Sequence, residues 1–197
     1  MIEPTEVKVF FNFRSPYCYI LSRTLASIFE DFHVQLAWRP LGGWSGRSPP
    51  ERAKVKIPLV RQDIRRITAK MGIPMNPPPL TTDPTLAGIG SLFAEKQGLL
   101  MPYIQQVMHT EWAEGRDIGD EQVLLTTAEQ VGLGRNEFQV ALREQHYLDQ
   151  LDSNWVEAQQ LGFFGVPSFQ VGDELFWGSD RVEYLTDYLR ELRLKRF

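Results

Sequence analysis

Apolar residues recur along the chain with two different periods. Residues 7–13 (VKVFFNF) form a run of β-branched and aromatic side chains, which predicts a buried strand. Ser15 and Pro16 follow at once. Ser is a favoured N-cap and Pro a favoured first helical residue, so a helix is predicted from there to about Asp31. Ile20, Leu21, Leu25, Ile28 and Phe29 would share its inner face. Residues 33–39 (HVQLAWR) alternate and predict a second strand, parallel to the first because a helical crossover separates them. A Gly/Pro-rich loop spans 40–50, a cation-bearing helix 56–70, and a loop with Pro74, Pro77, Pro78 and Pro79 covers 71–84. From about 85 to 161 the pattern is helical, broken near Gly98, 115–119 and 132–134. Residues 168–171 and 174–177 flank Gly172-Asp173 and predict a hairpin. Ser179-Asp180 can then cap a last helix, 181 to about 193, with Val182, Leu185, Tyr188 and Leu189 facing inward.

A β-α-β half, a helical block and a β-β-α half thus appear in order, with no internal repeat. This is the order of an α/β thioredoxin-like fold carrying a large helical insertion. The expected division is residues 1–50 and 162–197 for the thioredoxin-like domain and 51–161 for the inserted helical domain.

Composition narrows the function. At 197 residues with 43% hydrophobic and 12% aromatic side chains, the chain can bury a full core. Its formal charge of −4 argues against a sequence-independent nucleic-acid surface. No apolar run is long enough for a membrane span. The opening stretch carries Glu3 and Glu6 and lacks an apolar segment with a small-residue cleavage site, so no signal peptide is expected. Lys195-Arg196-Phe197 is no recognised address. Cys18 is the single cysteine. A lone thiol without an export signal fits a reducing cytoplasm and removes any Cys-based zinc cluster.

Three short segments carry candidate chemistry. Ser15-Pro16-Tyr17-Cys18 lies where the first strand hands over to the first helix, where free backbone N–H groups favour a thiolate. A redox protein would place Cys at both ends of this frame. Ser15 cannot form the mixed disulfide that thiol–disulfide exchange requires, but can donate a hydrogen bond to another molecule's thiolate. It can equally be a plain N-cap. Cys18 reads either as a thiol poised beside a ligand sulfur or, the favoured reading, as a small buried hydrophobe. Gly165-Val166-Pro167 suggests a tight turn with a cis bond that exposes the Val166 backbone to an extended peptide, or else an ordinary strand-initiating proline. In Phe176-Trp177-Gly178-Ser179-Asp180-Arg181, Ser179 and Asp180 can cap a helix, or Asp180 can pair with a ligand ammonium while Ser179 takes a carboxylate.

Taken together, Ser15-Pro16-Tyr17, Gly165-Val166-Pro167 and the segment from Phe176 to Arg181 resemble the kappa-class glutathione transferase and 2-hydroxychromene-2-carboxylate isomerase family, whose fold is DsbA-like. Arg39-Pro40-Leu41-Gly42-Gly43, the set Lys56, Val60 and Asp63, and Gly72-Ile73-Pro74 are similar too. The resemblance covers nearly the whole chain and implies glutathione as cofactor and a homodimer. It implies that Ser15, with Tyr17 beside it, meets the glutathione sulfur and that Val166, before cis Pro167, pairs with the cysteinyl backbone. Ser179 and Asp180 would hold the γ-glutamyl end, and Lys56 a carboxylate. Trp112 resembles a family position near the site. Trp44 and Trp112 are the better aromatic candidates for lining a pocket for a small aromatic substrate. The sequence departs from the family at Arg47, where an Asn contacting glutathione is usual, and at Leu59, where Tyr is common. Arg14 replaces an apolar residue, and Cys18 stands where Ser is frequent.

The activity this resemblance implies is glutathione-dependent cis–trans isomerisation of an aromatic conjugated carboxylate. A kappa-type transferase or peroxidase, and a DsbA-like oxidoreductase working through Cys18, are the alternatives, as is a non-catalytic glutathione-binding protein. Other signals carry less. Gly132-Leu133-Gly134 has Glu137 where a dinucleotide fingerprint needs glycine and follows a helix. His109 and Glu111 do not make H-E-x-x-H, so no metal site is expected. His33 and His146 read as structural, and Arg61, Arg65, Arg66 and Lys70 as a solvated helix face.

Overall fold

The computed structural model describes residues 4–196; residues 1–3 and Phe197, on which the reading of leader and tail partly rests, lie outside them. Four strands form one mixed sheet: β1 (Thr5–Phe11), β2 (Val34–Pro40), β3 (Ser168–Val171) and β4 (Glu174–Trp177). Their order is β2-β1-β3-β4, with β1 parallel to β2 and antiparallel to β3, and β3 antiparallel to β4. β1 has a strand on each edge and lies inside the core, and this explains its apolar run, where Val7, Val9, Phe10 and Phe11 are all fully buried.

β1 ends at Phe11, two residues before the expected boundary, because Asn12 turns the chain. Its side-chain oxygen accepts from Arg14 N–H at 2.9 Å, its carbonyl accepts from Ser15 N–H at 3.0 Å, and its amide donates to Ser45 O at 3.0 Å. The first predicted helix is two helices, α1 (Pro16–Ser22) and α2 (Leu25–Asp31). Hydroxyl side chains compete for the carbonyls at the break: Ser22 Oγ donates to Tyr19 O and Ser27 Oγ to Thr24 O, each at 2.7 Å.

The long cationic helix, α3 (Pro50–Met71), starts six residues before the expected Lys56. Pro50 stands in the first turn, where a missing N–H costs nothing, and Pro58 is accommodated inside the helix. Then come α4 (Thr85–Lys96), α5 (Leu100–Trp112), α6 (Glu121–Gln130), α7 (Arg135–Ala141) and α8 (Gln145–Gln160), with breaks at the three expected places and a further one, not expected, at 142–144. The hairpin of β3 and β4 turns at Gly172-Asp173. The last helix is a 3-10 turn (Ser179–Arg181) leading into α9 (Val182–Glu191), which buries Leu185 and Leu189. The inserted block α3–α8 therefore lies between the two halves of a thioredoxin-like fold.

An aromatic chain ties sheet to helices. Phe11 meets Phe13 at 5.1 Å between ring centroids, Phe13 meets Tyr103 at 6.0 Å, and Tyr103 meets Phe138 at 5.8 Å. At the surface, Glu157 of α8 accepts from Lys8 Nζ of β1 at 2.7 Å and from Arg39 Nε of β2 at 2.6 Å. No helix among the described residues is long and apolar enough to cross a membrane.

Candidate functional site

The two halves of the sheet meet at Ser15 and Val166. Ser15 caps α1, its hydroxyl accepting from Cys18 N–H at 3.3 Å. That leaves the hydroxyl proton free, and the protein acceptor facing it, Val166 O, is 3.5 Å away, beyond the length of a strong hydroxyl bond. Val166-Pro167 is a cis peptide. Among the described residues the Val166 N–H and C=O enter no backbone pair, so both are available to an extended peptide.

Ser15, Tyr17, Trp44, Lys56 and Val166 line one open cavity of about 440 Å³, together with Phe164, Gly165 and Trp177. Burial first, and then a hydrogen bond to Asp63 Oδ2 at 3.1 Å, push the Tyr17 phenol up to about 12, so it stays protonated. Lys56 stands at the rim, its ammonium 3.1 Å from Ser48 Oγ. A second, more apolar chamber of about 320 Å³ adjoins the first and holds Trp112, Met75 and Leu80. The Trp112 indole N–H donates to Phe13 O at 3.1 Å. Trp44 lines both chambers.

Ser179 and Asp180 do not line either chamber. They form the 3-10 turn packed against α1, reached through Gly178, whose φ of 112° is a conformation that only glycine adopts easily. Neither side chain caps the turn, contrary to the expected capping role, because Asp180 Oδ2 instead takes Arg181 Nη1 at 2.7 Å. Asp180 is exposed, and its charge reaches the Tyr17 phenol. Cys18 is fully buried, and burial pushes its thiol up to about 12. It is a packed hydrophobe rather than an available nucleophile. Leu59 is exposed on α3 and lines neither chamber.

Three charged groups take places to which the sequence assigned no role: Arg14 and Arg47 stood out only as departures from the family, and Glu111 only as a failed metal motif. Arg14, almost fully buried, lies 3.7 Å from Glu111 Oε1 and stacks over Trp112 at 5.3 Å. Arg47 stacks over Trp44 at 4.0 Å. Glu111 is fully buried, and neither carboxylate oxygen has a hydrogen-bond partner among the described residues. A signal for it existed: Leu100, Tyr103, Ile104, Val107 and Met108 form the buried stripe of α5, and Glu111 continues that stripe. Phe164, whose ring meets that of Trp177 at 4.5 Å in a tilted arrangement, was not singled out, and Trp177 was quoted only as part of the segment from Phe176 to Arg181.

A family model described as the DSBA-like thioredoxin domain matches residues 6–190. The chain belongs to this family. It is similar to the 2-hydroxychromene-2-carboxylate isomerases of Sphingobium xenophagum, at 27% identity over 93% of this chain and 97% of the relative, and of Pseudomonas putida, at 24% over 94% and 95%. The structure of a selenomethionine 2-hydroxychromene-2-carboxylate isomerase superposes with a TM-score of 0.82 at 24% identity, covering 95% of each chain. That likeness establishes the DSBA-like thioredoxin fold for this member.

Proposed function

We propose that this DSBA-like chain is a glutathione-dependent isomerase of an aromatic conjugated carboxylate, of the hydroxychromene-carboxylate type. The observation that carries the reading is the Ser15 hydroxyl: held at the start of α1, accepting from Cys18 N–H and donating only over a long 3.5 Å to Val166 O, next to a Val166 backbone that enters no backbone pair among the described residues, on a cavity wall. The site fits glutathione on its own chemistry. An extended tripeptide needs a backbone donor and acceptor, which Val166 offers, and a thiolate needs a nearby hydroxyl donor, which Ser15 offers. Lys56 stands where it can meet a carboxylate, and Asp180 is an exposed anion close to the Tyr17 side of the cavity.

When bound, glutathione supplies a thiolate whose reversible addition to the conjugated carbonyl permits rotation about the former double bond. The chain's own share is to stabilise that thiolate through Ser15 and to align the partners. The apolar chamber beside Trp44 and Trp112 offers a surface on which a ring can sit. A thiol–disulfide mechanism through Cys18 is disfavoured by burial, because a thiol pushed up to about 12 is almost wholly protonated near neutral pH. Calorimetric titration with glutathione and with S-hexylglutathione tests the reading. Both should bind, and binding of neither overturns it.

A further inference from the structure

Arg14 and Arg47 belong to different parts of the chain, yet both line the wall shared by the two chambers. They lie close enough for the positive charge of Arg14 to act on Arg47. Two like charges side by side in a half-buried wall repel unless an anion stands between them. The protein itself supplies only part of that anion. Glu111 lies at 3.7 Å from Arg14 Nη1, long for a charge-assisted hydrogen bond, and its burial favours the neutral carboxyl, while Asp117 acts on Arg14 and Asp83 on Arg47.

The guanidinium donors are also underused. A guanidinium carries five N–H donors. Arg14 gives Nη2 to Pro79 O at 2.8 Å, while its Nε is buried without a partner among the described residues. Arg47 gives Nη1 to Gly43 O at 3.1 Å. Each planar head is held on an indole, Arg14 over Trp112 and Arg47 over Trp44, so the orientation of both heads is fixed before any ligand arrives.

We propose that Arg14 and Arg47 form a two-arginine clamp for the carboxylate of the second substrate, whose ring lies in the apolar chamber beside Trp44 and Trp112. The inference rests on the isomerase reading for its substrate class, but not for its geometry. Arg47 is the half-buried jaw, held over Trp44 and tied to Gly43 O. Arg14 is the fixed jaw, held from beneath by Glu111 and Pro79. The clamp selects an aromatic carboxylate over a neutral ring of the same shape, because a neutral group leaves the two cations facing each other.

The test is calorimetric titration with 2-naphthoate and with its neutral isostere 2-naphthamide, on the wild-type protein, Arg47→Gln and Arg14→Lys. Naphthoate should bind wild type at least ~10-fold more tightly than naphthamide, the worth of one charge-assisted hydrogen bond. Arg47→Gln should erase most of that preference while naphthamide affinity stays within about twofold. Arg14→Lys, which keeps the charge but loses the planar fork, should reduce the preference without abolishing it. Equal binding of the two probes to wild type, no binding of naphthoate, or a preference that survives both substitutions overturns the clamp. S-hexylglutathione titrated into the same proteins separates the two ideas: if it fails to bind while the naphthoate preference holds, the glutathione reading falls and the clamp stands.

Discussion

Replacing Glu111 by glutamine should make the protein relatively more stable as pH rises. Glu111 is fully buried with two unpartnered oxygens, so burial pushes its carboxyl well above the ordinary range, and Arg14 only partly opposes this. Arg47 also favours the ionised form and Asp117 disfavours it. In the unfolded chain the same carboxyl loses its proton near pH ~4.3. Between that pH and its folded value, the native state therefore holds one proton more than the unfolded state. Stability contributed by a proton bound more tightly when folded is present below the unfolded value and is lost as pH rises. The slope is about −1.4 kcal/mol per pH unit across the window. A glutamine side chain cannot titrate, so the variant lacks that slope. Other carboxyls act alike in both proteins and cancel. Burial pushes Glu157 up, for example, but Lys8 and Arg39 outweigh it and hold it low. Urea unfolding at pH 5, 6, 7 and 8 measures the difference. The variant should gain on wild type as pH rises from 5, until the folded carboxyl has itself lost its proton. Parallel curves, or a variant that loses ground as pH rises, would refute the reasoning and mark Glu111 as an ionised partner of Arg14 throughout.

Two further outcomes follow from burial and exposure. Cys18 should resist Ellman's reagent at pH 8 in the folded protein and react only after denaturation, since it is fully buried and its thiol is pushed up to about 12; rapid labelling of native protein would contradict this. Asp180→Asn should weaken glutathione by about 1.5–3 kcal/mol in calorimetry, the worth of a charge-assisted hydrogen bond. Its melting temperature should barely move, because Asp180 is exposed and makes no cap bond; a large drop with unchanged affinity would return it to a structural role.

The four strands and their succession along the chain were legible because each is a short run of β-branched or aromatic residues with its own punctuation: Ser15-Pro16 after β1, Gly172-Asp173 between β3 and β4. The break between α1 and α2 was not, because the apolar face continues through it from Ile20 to Ile28 and only hydroxyl side chains interrupt the ladder. Pro50 concealed the true start of α3, since it closes a Gly/Pro-rich stretch that reads as loop, although its ring suits the first turn of a helix. Ser15, Tyr17, Lys56, Trp44 and Val166 could be named from local motifs, and the fold brings them to one cavity. Arg14 and Arg47 showed only as departures from the family, and Glu111 only as the end of an apolar stripe; that Arg14 and Glu111 meet depends on packing of α5 against α1.

Ser15 is the residue on which the functional reading turns, and the ionisation of glutathione bound to Ser15→Ala tests it most directly. Thiolate absorbance at the ultraviolet edge, followed against pH in the complexes of wild type and variant, reports the bound thiol. If the hydroxyl that Cys18 N–H leaves free to donate stabilises the sulfur, the titration should move to higher pH in Ser15→Ala. Each unit of that movement is worth about 1.4 kcal/mol of thiolate stabilisation. Affinity for glutathione at neutral pH should stay nearly intact, since the backbone of Val166 and the groups at the tripeptide's ends remain. An unmoved titration, with only the roughly 0.5–2 kcal/mol stability loss of a missing N-cap, would contradict the role assigned to Ser15.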